Sequence, residues 1–317
     1  MGAFVKKLED LVPLYEPDPF QEEKNKMSDE DIPWVDTHAH FIYRKELAYS
    51  WLEKMEPPWT DFLGDYKKIT LGDYTLENYM ADALPTGVSK VIHTEAAFGA
   101  EPFAETKLLQ KLADLKKIPI GIVAHATLGA PETEAALDHQ LEYKNFRGVR
   151  QLWGAAKAED SAFRKGFAAL AKRGLSFEDP ALWQNFNGLA KLAGDFPDSR
   201  IVLGHCGMPL QRDKNYLENW RRELKKLAQH ENVVCKISGL RMTEHDWSFE
   251  SVKNIAQTCI EFFTPKRCFF ASNWPVDSLY PGNFKDMVEG FRAIIEPYSR
   301  SEKQAMLHDN ASDFYNI

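Results

Sequence analysis

Residues 34–41 read WVDTHAHF, a short apolar lead followed by His38 and His40, one residue apart. Side chains of a β-strand alternate between its two faces, so positions two apart point the same way. We therefore expect Asp36, His38 and His40 to share one side of a strand. Two neutral imidazoles placed in this way can share a divalent metal or flank a carbonyl group. Asp36, which lies deeper, can orient one of the rings from behind.

Seven further apolar runs follow this stretch and alternate with amphipathic segments of helical length. Runs that are apolar on both faces suit parallel strands covered by helices. Eight strands in one series with helices predict an α/β fold of one domain, a (β/α)8 TIM-like barrel over residues 31–317. An open, doubly wound sheet is the alternative, but no glycine-rich GxGxxG turn follows the first strand.

Two segments fall outside this repeating pattern. Residues 1–30 are polar and irregular, with three prolines and the charged run EEKNK, and we predict an N-terminal arm that packs on the barrel. Residues 45–84 are too many for an ordinary βα loop. We expect them to form a lid or a side wall beside the mouth of the barrel, with a helix that ends before Pro85.

Composition limits the classes of function. The formal net charge is −8, which argues against nucleic acid as a partner but allows a small anionic substrate. No run has the length or apolarity of a membrane span or a secretory signal. The four cysteines show no metal-ribbon spacing and are interpreted as free thiols of a cytoplasmic protein. A small-molecule substrate and a homodimer formed through the arm are the expected partners.

Polar side chains recur where the later apolar runs end. In a barrel the carboxyl ends of the strands form the working face, so these residues are expected to meet there. They are His93 and Glu95 on strand two, His125 on strand three, Glu178 on strand five, His205 on strand six, and Ser272, Asn273 and Trp274 on strand eight.

Four motifs in this order resemble the amidohydrolase superfamily. They are DTHAH on strand one, FRGVR on strand four, GHCGMP on strand six and SNWPVD on strand eight. The resemblance is greatest to the branch that contains 2-pyrone-4,6-dicarboxylate lactonase and the sugar lactonases, and it covers residues 34–317. It implies a deformed barrel that hydrolyses a carboxylic ester-type bond, here a lactone, at its mouth.

The resemblance assigns roles by position. His38 and His40 match the strand-one pair, and His205 matches the strand-six histidine. The strand-eight residue of the family is usually an aspartate that takes a proton from the attacking water. This chain has Asn273 there, and an amide cannot accept that proton.

Three mechanisms therefore stay open. One divalent metal (zinc, manganese or iron) is held by His38, His40 and Glu178, with the Asn273 oxygen as a further ligand. Alternatively, Glu178 or His205 is the base and no metal is needed. Asp277, four residues beyond Asn273, is a third candidate for the base. No counterpart of the carboxylated lysine of dinuclear relatives is found, so one metal or none is expected.

Substrate contacts follow from charge and shape. Arg147 and Arg150 face opposite sides of strand four, and Arg150 is expected to point inward. The resemblance adds Arg241, and two guanidinium groups can clamp an anionic substrate. Trp153 and Trp274 are expected to form apolar walls around a flat substrate ring. His125, near the end of strand three, is expected to be a further substrate contact.

The sequence thus favours an enzyme that opens a lactone ring by attack of water. Two alternatives remain: metal-dependent, non-oxidative decarboxylation of an aromatic or dienoic acid, and a small-molecule-binding barrel whose catalysis is impaired at Asn273.

Overall fold

In the computed structural model, which describes residues 31–116 and 119–317, eight parallel strands form one sheet in the order β1 to β8. Helices lie between successive strands, so the predicted (β/α)8 barrel is confirmed. The strands are β1 Trp34–Ala39, β2 Val88–Thr94, β3 Ile120–His125, β4 Phe146–Arg150, β5 Ser176–Asp179, β6 Arg200–Leu203, β7 Val233–Ile237 and β8 Cys268–Phe270. The predicted N-terminal arm, residues 1–30, lies outside the described residues.

Thirteen α-helices are found in the described ranges. They are α1 Ser50–Glu53, α2 Trp59–Leu63, α3 Lys67–Thr70, α4 Leu76–Ala83, α5 Ala104–Lys116, α6 Thr133–Gln140, α7 Ser161–Lys172, α8 Phe186–Asp195, α9 Lys214–Leu227, α10 Phe249–Phe263, α11 Phe284–Ile295, α12 Arg300–Gln304 and α13 Asn310–Tyr315. Local sequence sets several of their first residues. Thr75, Ser248 and Asn283 each accept a hydrogen bond from the backbone three residues on, in reciprocal capping boxes.

The first and last strands are joined by a few specific contacts instead of a continuous ladder. Asn273 N donates to the His38 carbonyl and His40 N donates to the Trp274 carbonyl, each at 2.8 Å. Ser272 supplies two further bonds to β1, through its backbone N at 2.8 Å and its Oγ at 2.6 Å, both to the carboxylate of Asp36. Asp36 therefore fastens the seam of the barrel.

The prediction that Asp36 shares one side of β1 with His38 and His40 is wrong. The pairing of β1 with β2 shifts register between Asp36 and Ala39, so Asp36 does not share the histidines' side. Its carboxylate turns away from the barrel axis, and Tyr79 of α4 donates to it at 2.7 Å. Asp36 orients the backbone of His38, whose N–H donates to Oδ1 at 3.2 Å, and makes no bond to an imidazole ring.

The C-terminal segment closes the opposite end of the barrel. Tyr315 and Ala311 of α13 pack against an interior cluster that includes Val35, Val202 and Phe269. The backbone of the last residues is also held at the amino ends of strands, since Lys90 Nζ donates to the Ile317 carbonyl at 2.6 Å. Among the described residues, this packing fills the amino end of the barrel interior, and the catalytic residues lie toward the carboxyl end.

The inserted segment after β1 builds a wall over that open end, as expected. Its aromatic residues Trp51 and Tyr66 join a buried cluster with Met208, Met242 and Val276 from the later βα loops. The Trp51 indole N–H donates to the Ala96 carbonyl at 2.9 Å, which ties the wall to the end of β2. Within residues 31–116 and 119–317, no helix combines the length and apolar character that crossing a membrane requires.

We predict that Asp36→Ala lowers the free energy of unfolding by about 2–4 kcal/mol, because the Ser272 and Tyr79 donors would lose their buried acceptor. The matched variant Tyr79→Phe removes one donor and leaves the seam bonds in place, so a loss of about 1 kcal/mol is expected. Urea denaturation followed by circular dichroism measures both. Equal losses in the two variants would contradict the assigned role of Asp36.

Candidate active site

His38 of β1 and His40, which directly follows β1, face one another at the mouth. Their Nε2 atoms lie 3.1 Å apart and their rings are almost perpendicular, at 86°. His40 Nδ1 lies 2.8 Å from the Thr94 carbonyl, which can only accept a hydrogen bond. That nitrogen therefore carries the proton, and His40 Nε2 presents a lone pair toward His38.

His205 completes a group of three imidazoles. Its ring centroid lies 4.6 Å from that of His38, and its Nδ1 lies 2.9 Å from Ser238 Oγ. His205 and Cys206 both have left-handed backbone conformations, with φ of 51° and 55°, just after β6 ends. This tight turn, with Gly207 following at φ 68°, carries the imidazole inward over the barrel.

The surroundings of all three imidazoles favour the neutral form. Burial lowers the pKa of His38 and His40 well below the usual value, and neighbouring positive charges, among them Lys236 and Arg150, lower it further. Burial, with Arg150 and Lys236, lowers the pKa of His205 to about 3. Neutral rings keep lone pairs that can bind a metal or accept a proton.

The amide of Asn273 is oriented by an adjacent acid. Asn273 Nδ2 donates to Asp277 Oδ1 at 2.8 Å, so the amide oxygen is left for the pocket that Asn273 lines. Burial raises the pKa of Asp277 to about 7, although the bond from Asn273 and the charge of Arg241 oppose that change. Asn273, at the strand-eight position, thus offers an oxygen acceptor. The Asp277 carboxylate contacts the amide nitrogen of Asn273.

Arg150 points into the mouth, as expected, and is held by Glu95. Its Nε donates to Glu95 Oε2 at 3.1 Å, and its Nη2 donates to the Glu95 carbonyl. Among the described residues, no hydrogen bond uses Nη1, so this nitrogen is available to a substrate in the pocket that Arg150 lines. Arg147, in contrast, lies on the outer face and donates to the carbonyl of Asn316.

Glu178 is buried but already engaged. Its Oε2 accepts a bond from Lys236 Nζ at 2.7 Å, and its Oε1 accepts one from the Tyr315 hydroxyl. A metal site needs several donor atoms close together. In the described ranges, three possible metal ligands have their donor atoms within 4.8 Å of one another, and these are Cys206, Cys235 and Cys259. The structure therefore does not bring Glu178 together with His38 and His40 as a three-ligand set.

An aromatic and thioether wall surrounds the polar floor of this pocket, which we call the catalytic pocket. Trp153 belongs to the wall, as expected, and stacks on Phe62 of α2 with ring centroids 5.8 Å apart. The other large apolar side chains of the wall are Trp51, Trp59, Phe98, Met208 and Met242.

Three predicted substrate contacts lie elsewhere. Arg241 stacks on Trp247 at 4.6 Å and lines a separate pocket behind the mouth. Trp274 packs on Phe284 in the outer core. His125 is more than half exposed and lines a second cavity beside Glu95. None of the three lines the catalytic pocket.

Sequence reasoning missed several residues that shape the site. Lys236 is fully buried beside Glu178, and its signal was a lone charge within the apolar run VVCKI. Thr94 and Ser238 fix the imidazoles through a carbonyl and a hydroxyl, and neither residue type stands out in a sequence. Tyr315 reaches Glu178 from the far end of the chain, a contact that no local pattern predicts.

The two histidines have the spacing and the outer hydrogen bond that a divalent metal site requires. Two Nε2 atoms 3.1 Å apart can both lie at about 2.0–2.1 Å from one zinc ion. The bond from His40 Nδ1 to the Thr94 carbonyl is the outer contact that metal-binding histidines usually make. The pair His38 and His40 therefore fits such an ion, and Asn273 lines the same pocket as His40, whereas Glu178 is committed to Lys236.

Known proteins share this architecture. The amidohydrolase family profile matches residues 35–317. The uncharacterized protein y4mH of Sinorhizobium fredii is 36% identical over 300 residues, which cover 90% of this chain and 99% of that protein. The L-fucono-1,5-lactonase of Burkholderia multivorans is 26% identical over 263 residues, 76% of this chain and 82% of its own length.

Solved structures agree in fold. A crystal structure of a Burkholderia multivorans amidohydrolase with bound zinc superposes with a TM-score of 0.76 at 22% identity, covering 90% of this chain and 99% of that one. A 2,6-dihydroxybenzoate decarboxylase from Rhizobium has a TM-score of 0.62 at 14% identity, with coverage of 90% and 98%. At these identities the likeness concerns the barrel itself.

We predict a pH-dependent stability from Asp179, whose carboxylate accepts the backbone N–H groups of Trp153 and Ala155 at 3.1 and 2.6 Å. Burial raises its pKa to about 7 in the folded protein, against about 3.9 in an unfolded chain. The stability linked to this group is full below about pH 4 and is lost as the pH rises to about 7. Urea midpoints should therefore fall from about pH 5 to about pH 8 more steeply for the wild type than for Asp179→Asn. Parallel pH profiles would contradict this assignment.

Proposed function

The chain belongs to the amidohydrolase family, and we propose that it opens the lactone ring of a small sugar acid or carboxylate-bearing compound by attack of water. The observation that carries this proposal is a group of three buried histidines in ring contact, two of which, His40 and His205, line a pocket that Arg150 also lines. The lactonase relatives, at 24–26% identity, support the same class of bond.

A divalent ion fits the histidine pair. His38 and His40 would hold it, with the Asn273 oxygen as a further donor, and when bound it would polarise the ester carbonyl. The tautomer of His40 favours this arrangement over a metal-free one. Because His40 Nδ1–H is committed to Thr94, its Nε2 has no proton to donate to a carbonyl oxygen.

His205 is the proposed base. Its ring is neutral, lies against His38 and lines the pocket, whereas both oxygens of Glu178 are bound by Lys236 and Tyr315. Water forms the new bond to the carbonyl carbon and gives its proton to His205. The bond from that carbon to the ring oxygen then breaks, and the same proton passes to the departing oxygen, which leaves a hydroxy acid.

Substrate orientation comes from the wall and from one cation. Arg150 Nη1 is placed to donate to a substrate hydroxyl or carboxylate, while Glu95 keeps the guanidinium fixed. Trp153 and Phe62 present stacked rings toward a flat lactone. Asp277 acts as a positioning residue, because its bond to Nδ2 keeps the Asn273 oxygen directed at the reacting centre.

We predict that His205→Gln lowers kcat for lactone hydrolysis about 100-fold or more with little change in KM, because the base is lost and the pocket remains. The assay follows acid release from L-fucono-1,5-lactone and D-glucono-1,5-lactone above the spontaneous rate. His308→Gln is the matched control, since His308 lies on the C-terminal helical segment beside Asp309.

Three results would contradict parts of this proposal. Full activity of His205→Gln would exclude His205 as the base. Release of carbon dioxide from an aromatic acid, with no ring opening across a panel of lactones and pyrones, would assign the barrel to decarboxylation instead. A folded protein with no turnover of either class would leave the third possibility, a small-molecule-binding barrel.

We further predict about one zinc, manganese or iron per chain in protein prepared without chelator or a nickel column, measured by inductively coupled plasma mass spectrometry. The double variant His38→Ala, His40→Ala should lose that metal, and His308→Gln should keep it. Equal metal content in the double variant and the control would place the ion elsewhere. Metal-free, active wild type would show that hydrolysis needs none.

A further inference from the structure

All four cysteines of the chain lie in the same hydrophobic core. They come from four different elements: Cys206 from the turn after β6, Cys235 from β7, Cys259 from α10 and Cys268 from β8. Each is fully buried and is a free thiol. Their positions along the chain follow no motif, so the grouping arises only when the barrel folds.

Three of the four sulfurs lie within reach of a single ion. The Sγ atoms of Cys206, Cys235 and Cys259 are all within 4.8 Å of one another. Three sulfurs that are each about 2.3 Å from a central ion lie about 4 Å apart, so small side-chain shifts are enough. Cys268 is the strand neighbour of Cys235, but its thiol donates to the Cys259 carbonyl at 3.7 Å and it does not belong to the group.

A buried thiol can act simply as a small apolar side chain, and two features go beyond that role. Packing does not require three sulfurs from three separate elements to meet at one point. In addition, the backbone N–H of Ser238 and the guanidinium of Arg212 favour a negative charge on the Cys206 sulfur, against the effect of burial. The thiolate is the form of cysteine that binds metals.

The donor set selects a soft ion with few ligands. Sulfur donors suit Cu(I) and zinc, whereas magnesium, calcium and manganese prefer oxygen. Structural zinc almost always takes four ligands, and this group supplies three sulfurs. Cu(I) is stable in a planar arrangement of three sulfurs and needs no water as a further ligand. The full burial of the three residues therefore suits Cu(I) better than zinc.

We propose that Cys206, Cys235 and Cys259 bind one Cu(I) ion in a closed trigonal site between the end of β6, β7 and α10. The thiols that become ligands release their protons to solvent. A closed site takes up its ion as the chain folds or opens locally. This site is separate from the histidine pair of the catalytic pocket and does not depend on the proposed lactonase activity.

The test is copper retention, which is independent of turnover. The full chain is produced in cells grown with an added copper salt, so that the ion is present during folding. The purified protein is washed with the Cu(I) chelator bathocuproine disulfonate, which removes copper from exposed sites. We expect about one copper per chain by mass spectrometry, together with the ultraviolet charge-transfer band of a Cu(I)–thiolate bond. No retained copper, or retained copper without that band, would overturn the proposal.

Variants identify the ligands. Cys235→Ala and Cys259→Ala each remove one sulfur and should lower retained copper at least about tenfold. Cys268→Ala is the matched control, since it makes the same change in the same core outside the group. The double variant His38→Ala, His40→Ala should also retain the copper, which separates this site from the histidine pair. Circular dichroism checks that each variant folds. Full retention in Cys259→Ala, or an equal loss in Cys268→Ala, would contradict the assigned ligands.

Discussion

The carboxylate of Asp36 fixes the geometry on which the site depends. It accepts two bonds from Ser272 across the seam between β1 and the end of β8, and one from Tyr79 of α4. Beyond that seam the backbone bond from Asn273 N to the His38 carbonyl sets these two residues side by side. With the His38 N–H, the buried carboxylate has four donors, and it is rigid because a shift of either strand would leave donors unpaired. The distance between the strand-one histidines and the strand-eight amide is therefore determined by an acid that touches neither imidazole.

Charge compensation explains how a dry barrel keeps two cations next to three histidines. Lys236 is paired with Glu178, and Arg150 is paired with Glu95, so each positive charge has a partner. The cations still lower the pKa of His38, His40 and His205, and burial lowers it more. The result is a floor of neutral imidazoles. Glu178 neutralises the charge of Lys236. This pairing explains why a carboxylate at the end of β5 faces Lys236 and not the histidine pair.

The sequence predicted what repeats or alternates. Eight apolar runs gave the barrel, and the strand ends gave His38, His40, His205, Asn273 and Arg150 at the mouth. It could not predict where alternation breaks, and the register shift after Asp36 is such a break. It also placed Arg241, Trp274 and His125 at the catalytic pocket, because a strand end specifies the rim of the barrel but not which cavity on that rim a side chain lines. Contacts between distant segments, such as Tyr315 with Glu178, depend on packing that no window of sequence contains.

The two carboxylate oxygens of Glu95 have different partners. Through Oε2 it neutralises Arg150, whose charge would otherwise be uncompensated among three imidazoles. Through Oε1 it pairs with His125, whose Nδ1 lies 3.5 Å away and whose pKa this carboxylate raises. A single buried carboxylate can balance one cation fully, so protonation of His125 beside Oε1 would draw charge away from Arg150 and weaken the hold of Glu95 on the guanidinium. The same carboxylate thus orients the guanidinium of the catalytic pocket and pairs with an exposed imidazole on the rim beside it.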